Sequence, residues 1–124
     1  IYISKPSPSG FGPLFYNRVV LIKTSLNAID ILKRLKNIER TYSKRSTQRN
    51  APRVLDLDIL DYNGEIINKL NYLQIPHPKM YKRDFILKPL HDLSPYWIDP
   101  LNGKNIKCLL FNCKRSNISI AKAI

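Results

Sequence analysis

Two carboxylates, Asp56 and Asp58, stand two residues apart inside the apolar run 54–60. Val54, Leu55, Leu57, Ile59 and Leu60 around them predict a strand. In a strand, residues i and i+2 point to one face, about 6.6 Å apart along the chain. Both aspartates then share one side, with Leu55, Leu57 and Ile59 on the other. Two neighbouring anions beside an apolar layer are costly unless a positive group joins them. Mg²⁺ suits such a pair, because it takes one or two carboxylates and completes its shell with water and substrate phosphates. Lys44, Arg45, Arg49 and Arg53 precede the pair and point to a polyanionic ligand.

The elements that must position this pair belong to a chain of 124 residues with net charge +12. That length suits one domain with a core, and the apolar content is that of a globular protein. The charge implies an anionic partner, which composition leaves open among nucleic acid, a membrane surface and a phosphorylated small molecule. No apolar run reaches the ~18 residues of a membrane span. There is no signal-peptide pattern, and Ile1-Tyr2-Ile3 reads as the end of a strand, so an upstream segment is expected. Cys108 and Cys113 are read as reduced thiols of a cytoplasmic protein, one bridge being the alternative.

Residues 4–12, SKPSPSGFG, form a loop that is either a functional lid or a surface connection. Residues 15–24 predict a strand, with 19–22 buried on both faces. Phe15 and Asn17 share a face there, as a ring to stack on a flat heterocycle and an amide to read its edge, or as a core aromatic and a strand-end amide. Residues 27–42 predict a helix capped by Asn27, with Ala28, Ile31, Leu32, Leu35, Ile38 and Tyr42 as its buried stripe. Glu39 stands beside that stripe near the C-terminal end, where the dipole disfavours an anion. Residues 43–52 are a polar, basic loop. Asn63-Gly64 marks a turn, after which residues 65–67 are expected to pair back as a short strand. Pro76 and Pro78 hold His77 rigidly, in a structural or a functional role. In residues 80–90, Phe85, Ile86, Leu87 and Leu90 pack while Arg83 projects, as a surface charge or as a phosphate clamp. Residues 104–111 predict a short helix. The domain is expected over residues 1–111, and residues 112–124 are read as a tail or linker.

Two stretches, APRVLDLDIL at 51–60 and IPHPKMYKRDFILKPL at 75–90, resemble the 6-hydroxymethyl-7,8-dihydropterin pyrophosphokinase family. Phe15 with Asn17 and the helix carrying Glu39 fall in register with them. The resemblance spans residues 2 to about 110. It implies an α+β, ferredoxin-like antiparallel sheet covered by helices, here N-terminally incomplete, since the family begins with a strand, turn and helix that this chain lacks. It implies transfer of the diphosphate of ATP to the pterin hydroxymethyl group with release of AMP, in folate biosynthesis. Asp56 and Asp58 match the pair that holds two Mg²⁺ ions. Arg53, His77 and Arg83 match triphosphate contacts, Arg83 coming from a mobile segment, and complete the catalytic set with the two aspartates. Glu39, Lys44 and Ile59 match the nucleotide side. Lys44 stands where the family usually has Arg, which keeps the charge and loses the bidentate fork. Ser4, Phe15, Asn17, Phe85 and Asp56 match the pterin pocket.

The resemblance further implies ATP and the pterin as partners, without nucleic acid or membrane, and allows a fused or neighbouring folate-pathway enzyme. Other readings are an inactive remnant of that enzyme, a different metal-dependent nucleotidyltransferase or nuclease using the same carboxylates, and a basic nucleic-acid-binding domain.

Overall fold

The computed structural model describes residues 2–4, 15–43, 55–115 and 122–123. Its elements are β1 (Tyr2–Ser4), β2 (Phe15–Asn17), α1 (Ala28–Ser43), β3 (Ile67–Lys69), β4 (Leu73–Ile75), α2 (Asp84–Leu93), α3 (Ile106–Arg115) and β5 (Lys122–Ala123). A 3-10 turn, Met80–Lys82, precedes α2. Antiparallel strands and helices together make the α+β chain that the sequence implies. The chain divides into two units, Thr24–His77 and Ile1–Lys23 with Pro78–Ile124.

In the Thr24–His77 unit, Asn27 caps α1, its Oδ1 accepting the Asp30 amide at 2.9 Å. That satisfies one of the donors a helix start leaves orphaned. Asp30 in the first turn and Arg40 in the last suit the helix dipole. The packing face of α1 begins as the periodicity requires. Ala28 joins Leu73 and Ile75 in the core, with Ile29, Leu32, Ile59, Tyr62 and Ile67 packed against them. The Tyr62 hydroxyl donates to the Leu26 carbonyl at 2.9 Å, tying residue 62 to the start of the helix.

Two expectations change in this unit. Ile38 and Tyr42 are exposed, while Glu39 is buried at 7 % exposure. Toward its C-terminal end α1 thus turns a carboxylate inward, because a backbone donor meets it there. The Asn63-Gly64 turn forms, with φ of 52° and 69° and the Glu65 amide donating to Tyr62 O at 2.9 Å. Both central residues are left-handed, as a type I′ turn demands. Yet residues 65 and 66 do not pair back. The ladder begins at Ile67 and runs Ile67↔Ile75, Asn68↔Gln74, Lys69↔Leu73. In that register Leu73 and Ile75 bury together while Gln74 faces out.

In the other unit, three antiparallel strands lie in the order β2-β1-β5. Tyr2 pairs with Asn17 and Ser4 with Phe15, and Tyr2 also pairs with Ala123. The helix α2 packs on α3 and on β1. Its buried side holds Ile86, Leu87 and Leu90, and that of α3 holds Ile106, Leu109 and Cys113, spaced at i, i+3, i+7. Asn105 caps α3, its Oδ1 accepting the Cys108 amide at 2.8 Å. Asp84, almost fully buried at the start of α2, pairs with Lys88 Nζ one turn on at 3.6 Å. Both cysteines are free thiols. Burial, with Asp84 nearby, pushes the Cys113 thiol up. The expected division at 111/112 falls inside α3, which continues to Arg115, and Lys122–Ala123 enter the sheet.

The strand expected over 15–24 is shorter than its apolar run. Only Phe15–Asn17 pair, and Val20, Leu21 and Ile22 are 63 %, 84 % and 59 % exposed. A strand buried on both faces needs paired edges and two covering layers. The described partner of β2 is β1, which spans three residues. No helix among the described residues is long and apolar enough to cross a membrane.

Tyr2 ties β1 to α2 by donating its phenol to Asp92 Oδ2. His91 Nδ1 lies 3.9 Å from the other oxygen of that carboxylate. The bond to Asp92, then burial, pushes the phenol from 10.0 up to about 12. Folding favours the neutral phenol, so its contribution is complete below pH 10 and is lost as pH rises through about 12. Tyr2→Phe is expected to cost about 1 kcal/mol at neutral pH. It should also flatten the loss of stability across that alkaline window, measured as urea midpoints at successive pH values.

Candidate active site

The aspartate segment keeps the two-residue alternation without the ladder. Asp56 and Asp58 are exposed, while Leu55, Leu57 and Ile59 are half-buried. Residues 55–60 belong to neither described sheet, contrary to the strand expected there. Alternation records which side meets the core, whereas a ladder needs a neighbouring strand that the local pattern cannot name.

Two other contacts hold the segment. The Leu57 amide donates to Glu39 Oε1 at 2.7 Å, across 18 residues of chain. Lys36 Nζ lies 3.2 Å from Glu39 Oε2, so the buried carboxylate meets an amide and an ammonium. Further on, the His77 amide donates to the Leu60 carbonyl at 3.2 Å. That bond sets the Pro76-His77 corner, whose Ile75–Pro76 peptide is cis, beside the aspartate segment. It leaves His77 Nε2 3.7 Å from Asp58 Oδ2. The side chain of Ile59 packs against the core of Ala28, Leu73 and Ile75.

The donor set fits Mg²⁺. Two exposed carboxylates on one side of an extended segment leave coordination positions for water and phosphate oxygens, which the small, reluctantly dehydrated ion prefers. Among the described residues no three His, Cys, Asp or Glu side chains converge as a closed metal site. The arrangement is an open pair with an imidazole beside it, suited to orienting a metal-bound polyphosphate.

The remaining expected residues fall in the other unit. Ser4 and Phe15 are register partners across β1 and β2. Asn17, two residues on, donates through Nδ2 to the Tyr2 carbonyl at 3.4 Å. Arg83 occupies the N-cap position of α2, its carbonyl accepting the Ile86 and Leu87 amides, each at 3.0 Å. Its guanidinium carbon lies 5.7 Å from the centre of the Phe85 ring, a cation–π contact that joins an expected phosphate clamp to an expected pterin aromatic. The structure thus brings together Asp56, Asp58, His77 and Glu39 in one unit, and pairs Ser4 with Phe15 and Arg83 with Phe85 in the other. Lys44 and Arg53 lie outside the described residues.

The partner of Glu39 was not foreseen from the sequence. The available signal was an acid beside an apolar stripe, which suits a solvated side chain as well as a partnered one. Tyr81 also escaped notice. Burial, and Asp99 beside it, pushes its phenol far above the ordinary value.

The sequence model of the 7,8-dihydro-6-hydroxymethylpterin-pyrophosphokinase family matches residues 1–95. The chain is 45% identical over 100 residues to the folic acid synthesis protein FOL1 of Dictyostelium discoideum, covering 81% of this chain and 15% of that protein. It is 36% identical over 94 residues to the 2-amino-4-hydroxy-6-hydroxymethyldihydropteridine pyrophosphokinase of Synechocystis, covering 76% of this chain and 48% of that one. With the Pseudomonas aeruginosa protein of the same name it shares 39% identity over 113 residues, 91% of this chain and 68% of the relative. The chain therefore spans about half the Synechocystis protein and a small part of the Dictyostelium one. With its paired aspartates and the match over 1–95, the chain belongs to the 7,8-dihydro-6-hydroxymethylpterin-pyrophosphokinase family.

Proposed function

We propose that this protein transfers the diphosphate of ATP to the hydroxymethyl oxygen of 6-hydroxymethyl-7,8-dihydropterin, a step of folate biosynthesis. The hydroxymethyl oxygen attacks the β-phosphorus, the bond from that phosphorus to the α,β-bridging oxygen breaks, and AMP leaves. The observation that carries this reading is the open pair Asp56 and Asp58 with His77 against it, in a chain of this family. The names of the Synechocystis and Pseudomonas relatives support it.

Phosphoryl transfer asks a protein for positioning and charge neutralisation more than for covalent chemistry. Asp56 and Asp58 hold magnesium, two ions in this proposal. Bound magnesium supplies neutralisation of the phosphate charge and acidifies the attacking hydroxyl. Asp56 is proposed also to contact the pterin and to take the hydroxyl proton. His77, Arg53 and Arg83 bind the triphosphate, with Glu39, Lys44 and Ile59 on the nucleotide side. Ser4, Phe15, Asn17 and Phe85 hold the pterin, the rings stacking and the amide reading its edge. The protein is proposed to work in the cytoplasm, beside or fused to another folate-pathway enzyme. The much longer folic acid synthesis protein of Dictyostelium discoideum supports that last point.

With Mg²⁺, ATP and the pterin, the protein is expected to release AMP and no ADP, read by nucleotide chromatography, and EDTA should stop it. Release of ADP or of free pyrophosphate overturns the proposal. Asp56→Asn and Asp58→Asn should each lower turnover at least ~100-fold, since several kcal/mol of charge stabilisation go with the metal. Arg83→Lys keeps the charge but loses the fork. It should cost about tenfold in kcat/KM for ATP, and a wild-type value in steady-state kinetics would remove Arg83 from the site.

A further inference from the structure

The segment with both proposed metal ligands is held from outside itself. Residues 55–60 lie in neither described sheet. A chain without a ladder must find other acceptors for its buried amides, or it moves. At Leu57, midway between Asp56 and Asp58, the acceptor is Glu39 Oε1 at 2.7 Å. The short distance is that of a charge-assisted bond.

Glu39 is itself committed to this contact. Its side chain is 10 % exposed, and its other polar contact is Lys36, at 41 % side-chain exposure. The Lys36 pair is open to water and worth little. Both contacts are part-buried, and the amide contact is the shorter, 2.7 Å against 3.2 Å, so it does most to offset the cost of burying the carboxylate. It joins α1 to the backbone amide that lies between the two aspartates.

We infer that Glu39 is a positioning residue for the aspartate pair, its buried carboxylate holding the Leu57 amide so that Asp56 and Asp58 present their oxygens to one side, at the spacing a metal–nucleotide complex requires. The inference rests on the proposed function and adds, to the place of Glu39 on the nucleotide side, a role through the backbone of the aspartate segment.

Glu39→Met keeps the volume and removes the acceptor. Glu39→Gln keeps an acceptor oxygen without the charge. The affinity for Mn²⁺ with a non-hydrolysable ATP analogue, read by water-proton relaxation, should fall ~10- to 100-fold in E39M, the usual cost of losing a group that orients a ligand. A neutral bond is roughly half as strong, so E39Q should fall only about three- to tenfold. In parallel, hydrogen exchange should show the Leu57 amide losing protection in E39M and retaining it in E39Q, while amides of α2 stay unchanged. Equal damage in E39M and E39Q, or an unchanged Leu57 amide in E39M, overturns the inference. Loss of Mn²⁺ affinity in Asp56→Asn with none in E39M overturns it while leaving the proposed function standing. Unchanged affinity in both Asp56→Asn and Asp58→Asn overturns the proposed function itself.

Discussion

A carboxylate inside a protein must be met by donors, and in this chain that constraint organises the unit that carries the aspartate pair. Glu39 is drawn inward on α1 by the Leu57 amide, and the aspartate segment is drawn onto α1 by Glu39. Neither group is at rest alone. An unmet buried carboxylate and an unmet buried amide each carry a desolvation penalty of about 1–3 kcal/mol or more. Joined, they fix one point of an irregular segment to a helix of four turns. The His77 amide fixes a second point at Leu60. Asp58 lies between those points and Asp56 directly before the first, so both acids flank the Leu57 anchor.

The other unit works by apolar packing, with the buried Asp84 paired to the half-buried Lys88. Leu87 and Ile106 are fully enclosed where α2 meets α3, and Met80 is enclosed in the turn before α2. Asp84 and Lys88, one turn apart, place a charged pair in that layer. Arg83 stands at the mouth of the same helix, where packing of the residues that follow sets its backbone. Its guanidinium carbon lies 5.7 Å from the centre of the adjacent Phe85 ring.

Net charge of +12 is consistent with an anionic ligand but does not select one. Selection comes from spacing. Two acids at i and i+2 repel a polyanion unless a cation lies between, so the positive net charge and the acidic pair are together consistent with a metal-bound phosphate. The exposed run Val20-Leu21-Ile22 stands apart from this chemistry. Its composition answers to burial in a sheet, and β2 pairs for three residues only.

What the sequence determined by itself was local. Asn27 as a cap, left-handed Asn63-Gly64, the stripe of α2 and the shared side of Asp56 and Asp58 all depend on neighbours within a few residues. Propensity and periodicity act over that range. The long motifs around residues 51–60 and 75–90 made the family legible as well. Tertiary structure decided the rest. It chose Glu39 over Ile38 and Tyr42 for the inner side of α1, opened the hairpin at Leu70 instead of Asn63, ended β2 at Asn17, and set His77 beside Asp58. Each of those outcomes depends on which distant donor, strand or layer is at hand. A side chain's burial is fixed by the partner it meets, and local pattern does not encode the identity of that partner.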